Sequence, residues 1–252
     1  MVTDLARGRV LYVAAERKQA SLDGFRETIT TEQLASIEGV AMDMWAPYEA
    51  SVRQHLPEAA EKIVYDKFHV AKHLGEAVDR VRRAENKALR AEGDDRLKGT
   101  KYDWLRNPEN FTKEGWRGFC ELRNSNLKTA RAWALKTQAL KTQAMFLWDY
   151  TYEASARKHF TWWYRWATHS QLPPMVDKAR MLKNHLPNIL TYLRLGITNA
   201  MSESLNAKVQ WVKWWVESWL RALAEVRAPC SSGIFFRSQA CRTIHEMMAF
   251  LA

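Results

Sequence analysis

The pattern of apolar and polar positions alternates between strand and helix signals over the first seventy residues and then settles into a helical period. Val10-Leu11-Tyr12-Val13 is a β-prone run behind the turn Ala6-Arg7-Gly8-Arg9, and Val2-Thr3-Asp4-Leu5 precedes that turn. Together they predict a β-hairpin. Leu22, Phe25 and Ile29 stand at helical spacing, with Ser21 placed to serve as N-cap. Gly39-Val40-Ala41-Met42-Asp43-Met44-Trp45 is an apolar strand run carrying one acid, and Pro47 suits the first turn of a helix reaching about Leu56. Lys62-Ile63-Val64-Tyr65 predicts a further strand that ends at Asp66.

Beyond Asp66 the pattern is helical. Val70, Leu74, Ala77, Val78 and Val81 keep a 3.6-residue period, and the charge-dense stretch Asp79 to Asp95 predicts a long solvated helix. Lys101 to Phe111 reads as a connection, followed by three helices near 112–143, 145–169 and 174–195, separated by Leu172-Pro173-Pro174 and bounded by Gly196. Ala134-Leu135-Lys136-Thr137-Gln138 is repeated at once as Ala139-Leu140-Lys141-Thr142-Gln143. Five residues are too few for a structural repeat, and the copy rotates the downstream helical face by about 140°. A last helix starts near Ile197-Thr198-Asn199 and carries Glu203, Val209 and Val212; past Lys213 only a short helix at 217–226 is expected.

Charge changes the picture more than composition does. The net charge is +10 and the pI is about 9.6, which favours polyanionic partners, nucleic acid first. Apolar residues at 47% exclude wholesale disorder. Eleven of the twelve tryptophans lie at or beyond Trp104, so the first hundred residues differ in kind from the rest. No apolar run is long enough to span a membrane, and the N-terminus lacks the pattern of a secretion signal. Cys120, Cys230 and Cys241 form no zinc spacing, so the expected compartment is a reducing cytoplasm.

Three acids are candidates for chemistry. Asp43 sits in or at the end of an apolar strand, where an acid is costly unless paired or metal-bound; the plainer reading is a cap for the helix at Pro47. Asp66, His69 and His73 share one helical face, either as a metal cluster or, the favoured reading, as an N-cap with two packed or solvated histidines. Glu203 is an acid in a first helical turn, where the helix dipole alone favours it. His159-Phe160-Thr161-Trp162-Trp163-Tyr164-Arg165-Trp166 either stacks on bases or packs a core, and core packing is the commoner fate.

Several stretches taken together resemble the DDE transposases of bacterial insertion sequences, in the ISL-three branch. They are Thr3-Asp4-Leu5 with Gly8-Arg9-Val10-Leu11, Val40 to Tyr48, Ile63 to Val70, Arg131 to Lys136, Leu172-Pro173-Pro174-Met175, and Thr198 to Asn206. The similarity covers residues 2 to 213. It implies an α/β, ribonuclease-H-like mixed sheet with a large all-helical insertion. It also implies two divalent ions, Mg²⁺ or Mn²⁺, held by three carboxylates for DNA cleavage and strand transfer. By position, Asp43 matches the second catalytic aspartate and Glu203 the terminal glutamate; Asp66 matches an aspartate on the next strand, which joins the metal site or supports it. Asn199 and Asn206 match polar positions around the glutamate.

The departures are equally specific. The family's first aspartate belongs to a strand upstream of the hairpin at which this sequence begins. The repeated Ala-Leu-Lys-Thr-Gln looks like an insertion, and Trp214 to Ala252 does not match, which points to a changed reading frame near codon 213. The expected organisation is a partial ribonuclease-H-like core at 1–70, a helical insertion at 71–196, the glutamate helix at 197–213 and a divergent tail at 214–252. The expected function is that of a transposase remnant without strand-transfer activity, its partners being insertion-sequence DNA ends and a second copy or an intact transposase. The alternatives are a non-catalytic basic DNA-binding protein, a dominant-negative partner of an intact transposase, and a soluble helical scaffold.

Overall fold

The computed structural model describes residues 1–140 and 147–227. Two compact units emerge, one made of Met1–Val13 with the chain from Ala200 onward, the other of Ala14–Asn199.

The first unit opens with the expected hairpin. Strands β1 (Val2–Asp4) and β2 (Arg9–Tyr12) pair antiparallel, with Asp4 opposite Arg9. Gly8 takes the left-handed conformation that closes the turn (φ +61°). Asp4 accepts the backbone N–H and the guanidinium of Arg7, and the backbone bond leads in holding its carboxyl below the usual range.

The second unit is mainly helical. It begins with α1 (Gln19–Arg26) and α2 (Thr31–Ala35), the latter closed by a reciprocal Thr30–Gln33 capping box. Ser21 is not the cap expected for α1: Lys18 holds that position, and the Ser21 hydroxyl donates to the Glu16 carbonyl at 2.8 Å. Strand β3 (Val40–Met42) leads into α3 (Ala46–His55), and a single turn α4 (Ala59–Lys62) into β4 (Ile63–Tyr65). The two strands pair in parallel, and β4 is buried throughout.

Helix α5 (Lys67–Ala91) presents Val70, Leu74, Ala77, Val78 and Val81 to the core, as their period requires. Its charged half is not simply solvated. Arg82 is buried against Asp79 at 2.8 Å, and Glu85 accepts the N–H groups of Lys128 and Thr129, each at 2.7 Å. Those two donors open α8 (Lys128–Leu140), so the single helix expected over 112–143 is two, α7 (Lys113–Asn124) preceding it. The turn between them also has Ser125 Oγ donating to the Leu122 carbonyl at 2.5 Å. The last three residues of the tandem, Lys141-Thr142-Gln143, lie outside the described residues.

The expected connection at 101–111 is a structured anchor instead. It holds α6 (Lys101–Leu105) and a 3₁₀ turn at Pro108–Asn110. Trp104 is fully buried, its indole N–H on Thr100 Oγ1 at 3.1 Å. Lys136 reaches from α8 to the carbonyls of Trp104 (3.2 Å) and Leu105 (2.8 Å), supplying donors to helical carbonyls that otherwise have none.

After a 3₁₀ turn at Leu147–Asp149 come α9 (Glu153–Thr168), α10 (Pro173–Leu190) and α11 (Tyr192–Leu195), with Gly196 left-handed at the end of α11. Helix α9 buries Ala156, His159, Phe160, Trp163 and Ala167. On α10, Asn188 is buried; its amide donates to the carbonyls of Ala60 (2.8 Å) and Ile63 (3.2 Å) and accepts from Arg53 (3.0 Å). The first unit resumes with α12 (Ala200–Arg227), one continuous helix that runs well past Lys213, where only a short segment was expected. Among the described residues no helix is long and apolar enough to cross a membrane.

Burial lowers the Lys136 ammonium pKa to about 8, from an ordinary 10.5. Between those two values the unfolded chain binds a proton that the folded chain lacks, so stability rises with pH. Denaturant titrations are expected to show wild type gaining on Lys136→Met as pH climbs from about 8 toward 10.5; a pH-independent difference would remove this assignment.

Candidate active site

Strands β3 and β4 run side by side in the same direction, with Met42 opposite Tyr65. The next residue on each is an aspartate, so Asp43 and Asp66 occupy equivalent positions just past two neighbouring carboxyl ends, where parallel sheets collect ligands. Gly39, entering β3, leaves room for Leu195 and Ile197: an added Cβ would lie 2.9 and 2.8 Å from their δ carbons.

Asp66 is buried, and each of its oxygens holds a backbone donor. Oδ1 accepts the N–H of Phe68 at 2.7 Å, capping α5, and Oδ2 accepts the N–H of Asn199 at 2.7 Å. One carboxylate thus ties a strand end, a helix start and a segment 133 residues further along the chain. The N-cap reading of Asp66 is the one its contacts bear out.

Asp43 does not cap α3; Trp45 occupies that position and makes no side-chain cap bond. Its carboxylate is 28% exposed and takes a 2.5 Å ion pair from Arg17 Nη2. The Arg17 guanidinium lies over the rings of Trp45 (4.8 Å) and Tyr48 (5.9 Å), which meet edge to face at 4.4 Å. Flat, weakly hydrated arginine suits this place between a carboxylate and aromatic rings better than lysine would.

His73 lies two turns into α5. Lys178 of α10 brings its Nζ to 3.0 Å from Nδ1 of that ring, and Glu76 sits 3.3 Å from Lys178 and 3.5 Å from His73. Burial, then the Lys178 ammonium, lowers the His73 pKa, while Glu76 and the Asp43 carboxylate pull the other way. His73, Glu76 and Lys178 thus form one charged group between α5 and α10. Among the described residues no three His, Cys, Asp or Glu side chains gather as a metal-binding cluster, Asp66, His69 and His73 included.

Glu203 belongs to the other unit. It is exposed in the first turn of α12, and the neighbouring Ser202 hydroxyl bonds the Thr3 hydroxyl of β1. Asn206, one turn on, is exposed as well.

Reading the sequence found the three acids but missed Arg17, Glu76 and Lys178. Arg17 lies in a charged run with no period, and Lys178 meets His73 across 105 residues, a pairing that no local pattern encodes.

A family model for DDE transposases of the ISL3 type, described as "Transposase", matches residues 1–214. The transposase for insertion sequence element IS1001 of Bordetella parapertussis is 29% identical over 216 residues, covering 84% of this chain and 52% of that protein. The transposase for insertion sequence element IS1557 of Mycobacterium tuberculosis is 26% identical over 233 residues, covering 83% of this chain and 51% of that protein. The chain thus spans about half the length of the curated relatives it matches. No solved structure matches it.

Removing the Asp66 carboxylate strands two backbone donors. Asp66→Ala is expected to cost about 2–4 kcal/mol in urea denaturation, the sum of a lost cap and an unpaired buried N–H. Asp66→Asn keeps an acceptor for one donor only and should fall between wild type and alanine.

Proposed function

The chain belongs to the ISL3 family of DDE transposases, and from that premise we propose that Asp43 and Glu203 are its carboxylates for divalent metal in DNA cleavage and strand transfer at insertion-sequence ends. The observation that carries this reading is the place of Asp43: at the carboxyl end of a strand, beside a second aspartate, within the matched segment. Among the described residues the strands form two separate two-stranded sheets rather than one mixed sheet, and in this reading both belong to the ribonuclease-H-like core. In the same reading the helices between Asp66 and Gly196 form the insertion.

The residues fit a hard cation. Asp43 is partly exposed, and its partner is a solvent-reaching arginine, 58% exposed, rather than a buried one. Asp66 fits less well as a direct ligand, because both its oxygens already accept backbone bonds; its role is to hold the strand end and Asn199 in place. Bound Mg²⁺ or Mn²⁺ supplies the charge that activates an attacking hydroxyl and stabilises the leaving oxygen. Arg17 sets positive charge beside Asp43, where phosphates of the DNA would approach. Strand transfer is expected to need a third carboxylate beyond Asp43 and Glu203.

A second reading, a basic DNA-binding protein that acts without cleavage, draws on the net charge of +10, which is independent of the metal site.

Mn²⁺ titration by calorimetry discriminates. Asp43→Asn and Glu203→Gln are each expected to weaken Mn²⁺ binding at least about tenfold. Equal affinity in wild type and both variants would overturn the metal reading and leave the binder.

A further inference from the structure

Helix α9 has two aromatic faces with different fates. Phe160 and Trp163 are buried, and the Trp163 indole donates to the Leu135 carbonyl at 2.9 Å. Trp162 and Trp166 face solvent, 56% and 38% exposed, their ring centroids 5.6 Å apart and tilted by 41°. One turn before Trp162 stands Lys158, and Arg165 lies between the indoles along the helix; both are exposed. His169 closes the same stripe. From Ala154 to Val176 the sequence contains no aspartate or glutamate, so no carboxylate of this stretch offsets the two cations.

Burying a tryptophan is worth far more than exposing it, and single exposed apolar residues are ordinary. Two adjacent indoles on one solvent face, flanked by cations, are a different object. Aromatic rings stack on unpaired bases whatever their sequence, and Lys and Arg beside them neutralise phosphates. In duplex DNA the bases are already stacked on one another and offer no such face. We propose that the Lys158–Trp162–Arg165–Trp166 stripe of α9 is a binding platform for unpaired nucleotides of DNA, the indoles taking bases and the two cations the phosphates. The complementary charge argues for a polyanion rather than an apolar protein surface.

The inference stands apart from the metal reading and is tested without metal. Full-length protein in EDTA is titrated against a fluorescent oligothymidylate and against a blunt duplex of equal length, with anisotropy as the signal. The double variant W162A/W166A is expected to lose at least about tenfold in affinity for the single strand. It should keep its salt slope and its affinity for the duplex. W162F/W166F, which keeps two stacking rings, should restore most of the single-strand affinity. K158A/R165A should lower the single-strand salt slope by about 1.4. Because all four side chains are exposed, matched thermal melts are expected throughout. Unchanged single-strand affinity in W162A/W166A overturns the proposal, as does an equal loss on both DNAs or a shift in sedimentation that shows the indoles joining two copies instead. None of these outcomes touches the Mn²⁺ titration, so the two readings fail separately.

Discussion

Helix α5 carries an apolar stripe that it cannot bury alone, and the second unit is organised around that constraint. Val70, Leu74, Ala77, Val78 and Val81 need partners along the first half of the helix. Helices α8 and α10 supply them, with α6 pinned beneath. Full burial of a Val or Leu side chain is worth about 1.5–3 kcal/mol, so the four in this stripe outweigh any single ion pair on the charged half of the same helix. The polar contacts refine this arrangement. Glu85 starts α8 at one place along α5, and Asp66 fixes the start of α5 itself.

The same constraint brings the candidate chemistry together. Strand β4 is buried on both faces, so its end is a fixed point, and β3 inherits that fixity through the parallel ladder. Asp43 stands at the end of this pair, and its ionic partner Arg17 comes from an irregular segment 26 residues earlier. An acid on a fixed strand end with an exposed arginine as partner suits a site that exchanges one counter-charge for another.

The hairpin was legible from its glycine-containing turn between β-prone runs, β3 and β4 from short apolar runs, and the α5 stripe from its 3.6-residue period. Helix α12 was legible only in its first half, because beyond Lys213 its Trp214, Val216, Trp219 and Leu220 are all exposed and no buried face marks it. Helix α6 escaped for a different reason. Its five residues are too short for a period, and its anchor, Lys136 on the Trp104 and Leu105 carbonyls, is a contact with α8. Asp43 and Asp66 were visible as acids ending apolar runs. What they touch was not, since Arg17 and Asn199 come from 26 and 133 residues away. The aromatic helix α9 held both of its readings at once, one on each side.

The buried amide of Asn188 has a mechanical consequence. By gripping the carbonyls of Ala60 and Ile63 it welds the far end of α10 to the root of β4. Since α9 also packs against α10, the aromatic helix and the strand that precedes Asp66 share one support, and shortening the Asn188 side chain would loosen both together.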